Sequence, residues 1–600
     1  MMKSIFTFFA FYLGITFLFA QNITYNLSMP NPETHYFNVE MLLQDFNEEE
    51  IVVSLPVWAP GSYLVREFAK NVNLVKAYDD NGNELRVDKI RKNKWKIDKS
   101  DAKSVKVLYE YYAFELTVRT SFLDKTHGYI NGTNVFMYPE SLNGKDYKGL
   151  KGVLNIQLPE IFSNVSTIMK NNPEGMANDS KIQSFVFSNY DELGDSPIEI
   201  GNHEEFSFMA AGVNHRVAMY GPGNYDVEKL KIDMAKVIES TTKVYGQNPN
   251  DEYLFIIHNT KVGSGGLEHL SSTTLNVNRW TYQGTDYLKF LSLVAHEYFH
   301  LWHVKRLRPD VLGPFDYDNE NYTDLLWVME GFTSYYDELI LRRAGFYSEE
   351  AYVRQLINTL NFVENNPGTR VQPVAHASFD AWIKAYRPDE NSRNTTISYY
   401  SKGHLIAAAI DVLIIEKFKG KKSLDDFLQF MYNKYFVEDN RGFSSEEFKS
   451  DLEGFTKMNL DKFFNDYVYG TVPLNFSEIF SKIGFKINES NRRSLTFGVS
   501  TADENGKLMV RNVIVNSAAE KSGLSPNDEI IAFNGFRVNN RTFSSFMNGL
   551  NKEEEFVLII SRDDQLMVIN GKMEESTSVR YDFENDFSNK LTKFWLRTDQ

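Results

Sequence analysis

Ala295-His296-Glu297-Tyr298-Phe299-His300 decides how the rest of this chain is read. It is an H-E-x-x-H sequence set in a helical pattern. Leu288, Leu291, Ala295, Phe299 and Trp302 recur at spacings of three and four and make one apolar stripe along an α-helix. His296 and His300 are four apart, so both imidazoles leave the same side of that helix. Glu297 points to a neighbouring face of the same turn. Two neutral imidazoles at this spacing can bind Zn²⁺ as a pair, with the intervening Glu placed to take a proton from a water that the metal activates. A core helix with two hydrogen-bonded histidines fits the same residues, so the surrounding chain has to decide.

Downstream, a tetrahedral catalytic zinc needs a third protein ligand and an open position. Leu326-Trp327-Val328-Met329-Glu330-Gly331-Phe332-Thr333-Ser334-Tyr335-Tyr336 supplies a carboxylate in a helical pattern that runs to about Arg343, with Gly345 as its stop. Glu320, Asp324 and Glu338 would serve on charge alone. Glu330 follows an apolar run, which favours a carboxylate held inside. His303 competes: it lies on the His296 face, about 4.5 Å further along the axis than His300, and packing near the site is the reading preferred for it. The extra histidine of a metzincin pattern would fall at Arg306, so that pattern fails.

Upstream, Val227 to Tyr245 is helical in period and ends at a natural capping residue, Gly246. Glu252 to His258 reads as a strand. The Gly-rich turn Val262-Gly263-Ser264-Gly265-Gly266 leads to Leu267-Glu268-His269, and Thr285 or Asp286 is expected to cap the H-E-x-x-H helix. Strands followed by helices give an α+β central domain. From Gln21 to about Glu205 the pattern is β, with Ile51–Leu55, Val105–Tyr109 and Val153–Ile156 separated by Asn, Gly and Pro clusters. An antiparallel β-sandwich-like domain is expected there. Trp58-Ala59-Pro60-Gly61-Ser62-Tyr63 reads within it as a turn.

At 600 residues the chain is too long for one core and implies about three or four domains. A net charge of −16 argues against a nucleic-acid partner or an anionic membrane surface. The absence of cysteine excludes disulfides, thiolate metal sites and lipid-anchored export. Residues 1–20 carry Lys3, an apolar run and a small residue, Ala20, as a signal peptide does. A mature protein in a periplasm or cell exterior is expected, with no stable membrane span after signal cleavage; an uncleaved anchor is the alternative.

Taken together, His296 to Pro309 and Leu326 to Tyr336 resemble the glycyl aminopeptidase family, PDZ-containing zinc metallopeptidases related to the thermolysin-like gluzincins. The resemblance extends to Trp58–Tyr63, Tyr190–Pro197 and Gly265–His269, and so covers nearly the whole mature chain. His303 departs from it, standing where the family has Asn. The resemblance implies a zinc held by His296, His300 and Glu330, with Glu297 as general base. It implies substrate binding at Gly265, Gly266 and Glu268, where Glu268 takes the free α-amino group of a peptide. Tyr399-Tyr400-Ser401-Lys402-Gly403 resembles the family relatives' Y-x-K-G segment, which makes Tyr400 the oxyanion stabiliser and Tyr399 the second choice. Further on, Leu495-Thr496-Phe497-Gly498-Val499, Ser517–Leu524 and Asp528–Gly535 resemble bacterial PDZ modules, in which the loop at Phe497, Gly498 and Val499 can receive a peptide C-terminus.

The expected organisation is therefore a signal peptide (1–20), a β-sandwich-like domain (21–205), a gluzincin catalytic domain (206–480), a PDZ domain (481–575) and a tail (576–600). The expected function is a zinc aminopeptidase that removes small N-terminal residues, Gly or Ala, from peptides with a free N-terminus. A PDZ-type binding protein on a vestigial peptidase scaffold and a broad-specificity zinc peptidase are the alternatives. No motif residue lies beyond Ser481, so hydrolysis of short substrates is expected to survive truncation there.

Overall fold

The computed structural model describes residues 22–599 apart from 143, 145, 146, 174 and 176–180. The expected signal segment lies outside the described residues. No described helix is long and apolar enough to cross a membrane.

The N-terminal part is β-rich. An eleven-stranded sheet has Ser104–Tyr112, Tyr36–Gln44, Asn22–Ser28 and Gly152–Gln157 side by side at its middle. Alternation puts Phe37, Val39, Met41 and Leu43 of one strand inside, in the period of two that strands require. A second sheet of Asn164–Ser166, Ile198–Gly201, His127–Ile130 and Phe122–Leu123 closes over this face, so Leu123, Ile130, Ile198 and Ile200 share the same core. The arrangement departs from the expected all-antiparallel sandwich at one place: Asn22–Ser28 runs parallel to Gly152–Gln157. A parallel partner needs a long crossover rather than a turn, and the strands between 36 and 112 supply it.

The central domain starts from a five-stranded sheet ordered Glu204–Ala210, Val213–Tyr220, Glu252–Thr260, Ser272–Asn278 and Gly266–Glu268. Its middle pairings are parallel, and Gly266–Glu268 forms an antiparallel edge. The strand Glu252–Thr260 is buried at seven successive positions, so it reads as an apolar run rather than an alternation. Leu254 and Ile256 face Tyr129 of the N-terminal part, and Phe255 and Ile257 join the helical core. Both faces are thus covered. Helices Val227–Tyr245, Gly284–Phe299, Leu326–Arg343 and Tyr399–Lys417 stack behind the sheet. Gly246 ends the first with φ of 87°, as expected of a left-handed cap. The H-E-x-x-H helix has Gln283 at its cap position and no side-chain cap. Thr285 and Asp286 lie inside its first turn, where the Asp286 charge still complements the helix dipole.

Beyond Ser481 the chain forms an antiparallel ribbon, Ile487–Leu495 with Glu575–Phe583. Between its arms sits a small β unit with a core of its own around Val510, Ile530, Leu558 and Ile560. The last stretch, to which sequence assigns no task, returns to the central helices. Trp595 is fully buried and its indole N–H donates to the Tyr335 hydroxyl at 3.0 Å, while Arg597 meets Asp425 at 2.8 Å. This overturns the expectation for truncation at Ser481. Losing a buried tryptophan alone costs about 3–5 kcal/mol, so that truncation is expected to unfold the central domain. Excising 496–574 with a short bridge is expected to leave it folded. Thermal unfolding of the two deletions, followed by near-UV circular dichroism, separates these outcomes.

Candidate active site

The last turn of the H-E-x-x-H helix presents His296 and Glu297, and His300 ends it. Glu330 comes from the facing helix Leu326–Arg343 and is 2% exposed. Its Oε2 stands 3.5 Å from His296 Nε2 and 3.3 Å from His300 Nε2. Ligand atoms about 2.0–2.2 Å from a tetrahedral zinc are themselves about 3.3–3.6 Å apart, so both distances from Glu330 match such a site, and all three ligand atoms lie within 4.8 Å of one another. The far nitrogens of both rings are fixed, His296 Nδ1 by Asp337 at 2.9 Å and His300 Nδ1 by the His303 carbonyl at 2.8 Å. Those bonds put protons on Nδ1 and turn the Nε2 lone pairs toward one another.

His303 faces away. Its Nε2 donates to the Val328 carbonyl at 3.0 Å, and its Nδ1 accepts from the Tyr245 hydroxyl at 3.0 Å. Burial pushes its pKa down to about 3, so it stays neutral and pins the two helices together. Another buried cluster differs in the same instructive way. His127 and His258 each lie 2.8 Å from a different oxygen of Glu199. That is hydrogen-bonding distance and too short for ligands sharing one tetrahedral ion. The cluster ties the strand of His258 to the N-terminal β part.

Close approaches build the remaining walls. A Cβ on Gly331 would lie 2.4 Å from the Gly403 Cα, so two glycines let their helices cross in contact. That crossing carries Tyr400, one turn before Gly403, to the cleft beside Glu330, and its ring centroid is 6.3 Å from that of His296. Tyr399 is buried in the core and does not line the cleft. Gly266 lies so tightly on Glu297 that a Cβ would sit 2.4 Å from the carboxyl carbon, and Gly265 takes φ of 108° to start the edge strand. Glu268, at the end of that strand, is 5% exposed.

One residue of the N-terminal part closes the cleft behind Glu268, and another braces the strand that carries it. Gly61, at the tip of the Trp58–Tyr63 turn with φ of 82°, would put a Cβ 2.5 Å from Glu268 Oε1. Asp195, from the Tyr190–Pro197 motif, accepts from His269 Nδ1 at 2.9 Å, the Leu270 N–H at 2.8 Å and Lys305 Nζ at 2.8 Å. It clamps the end of the edge strand to the loop after the H-E-x-x-H helix. Together these walls enclose a cleft of about 690 Å³ containing His296, Glu297, His300, Glu330, Glu268 and Tyr400.

The electrostatics follow from burial and pairing. Burial alone would raise the Glu330 carboxyl, but His300 and His296 hold it down at about 2. Burial raises Glu297 to about 7, against the pull of His296 and His300, and its Oε2 has no hydrogen-bond partner. A buried carboxylate with an unused lone pair is the kind of acceptor that proton transfer to and from a bound water requires. Phe497, Gly498 and Val499 lie apart from this cleft, in the C-terminal β unit. Sequence reasoning missed Asp337 and Arg119, the latter a cleft-lining residue from the N-terminal part, and it quoted Gly61 and Asp195 only within motifs, with no role for either. Asp337 had a signal, seven residues after Glu330 on one helix face.

Comparison with known proteins gives two family matches. Residues 24–202 match the peptidase M61 N-terminal domain, and residues 289–406 match the M61 glycyl aminopeptidase domain. Among solved structures, an aminopeptidase N family protein from Idiomarina loihiensis is 28% identical with a TM-score of 0.88, covering 96% of this chain and 100% of its own. The M1 zinc metallopeptidase of Deinococcus radiodurans is 13% identical with a TM-score of 0.46, covering 72% of this chain and 90% of its own. Leukotriene A4 hydrolase from Saccharomyces cerevisiae is 13% identical with a TM-score of 0.46, over 75% of this chain and 66% of its own. No curated protein matches the sequence.

Proposed function

From the premise that this chain is a metallopeptidase carrying the N-terminal and catalytic domains of the M61 glycyl aminopeptidase family, we propose that it is a zinc aminopeptidase. It takes small residues, Gly or Ala, from the free N-termini of peptides. One observation carries this reading: the His296–His300–Glu330 trio and the buried Glu268 line one cleft, which Gly61 closes behind Glu268.

A zinc held by His296, His300 and Glu330 would supply Lewis acidity to the attacking water and the scissile carbonyl. The protein's own groups do the rest. Glu268 pairs with the substrate ammonium and sets the first peptide bond opposite Glu297. Glu297 accepts a proton as water oxygen bonds to the carbonyl carbon, then returns it to the amine nitrogen as the C–N bond breaks. The Tyr400 hydroxyl donates to the oxygen that gains charge between those steps, a contribution of about 3 kcal/mol for donors of this kind. An intact set of ligands, base and amine acceptor argues against a vestigial site.

The metal assignment has a direct test. Glu330→Ala is expected to weaken zinc binding at least about tenfold, since two imidazoles remain. His303→Ala is expected to keep zinc, because both of its ring nitrogens are engaged elsewhere. Zinc titration against a chelator reads both variants. Full affinity in the Glu330 variant with loss in the His303 variant reverses the assignment.

The β unit between 496 and 574 is proposed as a PDZ-type peptide module. Val499–Glu504 is an edge strand of its sheet, and helix Asn540–Gly549 lies beside it, tied by Thr501 Oγ1 to Asn540 Oδ1 at 2.9 Å. A peptide can add to that edge with its carboxylate at the turn containing Gly498, whose φ is 82°. The same proposal places the mature protein in a periplasm or outside the cell, on the strength of residues 1–20.

A further inference from the structure

Arg119 has no place in the mechanism above, yet its side chain enters the same cleft. It sits in a loop of the N-terminal part that hydrogen bonds hold in shape. Thr117 Oγ1 accepts from the Arg119 N–H at 3.1 Å, and Thr120 Oγ1 donates to the Glu115 carbonyl at 2.7 Å. From there the guanidinium lines the cleft with Gly61, Gly266, Glu268 and Tyr400. Five N–H donors are available in a planar fork. One contact uses them, from Nη2 to the Gly266 carbonyl at 3.4 Å, and Nε is buried with no partner. Among the described residues no carboxylate lies within 4.0 Å of it. Several arginines elsewhere pair with carboxylates, Arg216 with Glu205 and Glu252, Arg343 with Asp425 and Arg562 with Asp528. Arg306, which meets no carboxylate, spends its donors on the Leu270 and Leu301 carbonyls and on Asn250 instead. The local field adds to the imbalance, since burial and the Arg119 charge together hold Arg66 below its usual pKa.

A half-buried guanidinium with free donors in a substrate cleft lacks a counter-ion that the fold does not provide. Glu268 lines the same cleft without pairing to it, which leaves one carboxylate for an ammonium and one guanidinium for an anion. A carboxylate matches the fork in two parallel hydrogen bonds, a geometry no neutral group reproduces. We propose that Arg119 is a substrate-binding residue that reads a carboxylate on the peptide, so that this enzyme favours substrates carrying one close to the free amine. This rests on the reading of Glu268 as the amine site. Two sources fit: the C-terminal carboxylate of a dipeptide, which keeps the small N-terminal residue of the proposed function, or the side chain of an N-terminal Asp or Glu, which would widen that preference beyond Gly and Ala.

The test compares substrates that differ only in that charge. Asp-Ala-amide is set against Asn-Ala-amide for the side-chain source, and Ala-Ala against Ala-Ala-amide for the terminal source. N-acetyl-Ala-Ala serves as the blocked control. In the wild-type zinc-loaded protein, kcat/KM is expected to be at least tenfold higher for the carboxylate member of one pair, and that pair identifies the source. Arg119→Ala should bring that ratio to within twofold of unity while the neutral member keeps its rate within threefold, with the change falling in KM. Arg119→Lys should retain part of the preference, because a point charge remains without the fork. Ratios near unity in both wild-type pairs overturn the proposal, and so does an equal loss on all four substrates in a folded Arg119→Ala. Should that variant fail to fold, Arg119→Met keeps the stem and gives the same reading. Rapid cleavage of the acetylated control marks failure of the aminopeptidase reading instead, which is a separate outcome.

Discussion

Glu297→Gln is expected to keep the fold and the metal and to lose at least about 100-fold in turnover, the usual worth of a positioned general base. The Glu297 carboxyl is buried, lies against Gly266 closely enough to exclude a Cβ, and leaves Oε2 without a hydrogen bond. Glutamine has the same shape, so the contact with Gly266 survives and His296 and His300 keep their fixed nitrogens. What is lost is the ability to take a proton and give it back. Metal content and kcat/KM measured on one preparation separate this outcome from collapse of the site. A near wild-type rate with metal in place would show that Glu297 is not the base.

The helix-borne half of this site is readable from spacing alone. His296, Glu297 and His300 sit within one turn, so the geometry of the α-helix sets their relation before any tertiary contact forms. Glu330 is legible for a similar reason, as a carboxylate after an apolar run on a long helix. Asp337 follows it by two turns on the same face, and that spacing alone brings a second carboxylate toward His296. Gly61, Arg119 and Asp195 are not legible in their roles: Gly61 and Arg119 reach the cleft from a separate domain, across 147 to 207 positions in the chain for Arg119 to Gly266 and Gly61 to Glu268, and Asp195 braces the edge strand from outside the cleft. Only docking of the β part brings them to the site. Trp595 shows the same limit at the other end: the tail carries no motif, yet it fills the core beside Tyr335. Short-range periodicity could not show the parallel pairing of Asn22–Ser28 either, since strand direction depends on a crossover far away in sequence.

The remaining large effect concerns position along the peptide. Zinc hydrolase chemistry acts on any amide that reaches the catalytic groups, so something else must choose the first bond. Glu268 ends the edge strand at 5% exposure, and Gly61 stands against its carboxylate with no room for a side chain. The cleft therefore ends there, and a longer substrate has nowhere to continue. Asp195 fixes the backbone just beyond, through His269 and Leu270, and so holds in place the strand end that carries Glu268. An acetyl group would replace the ammonium partner and leave a buried carboxylate unpaired, at a cost of a few kcal/mol. N-acetylated peptides are accordingly expected to be poorer substrates by at least about 100-fold, roughly 2.7 kcal/mol. Glu268→Ala removes the group that discriminates, so turnover of free-amine peptides should fall while that of blocked peptides holds, and the gap between them should shrink. Comparing kcat/KM for a peptide and its acetylated form in both proteins reads this directly. Efficient internal cleavage of a blocked peptide by the unmodified protein would sink the aminopeptidase register, because the closed end at Gly61 and Glu268 would then have no say in which bond is cut.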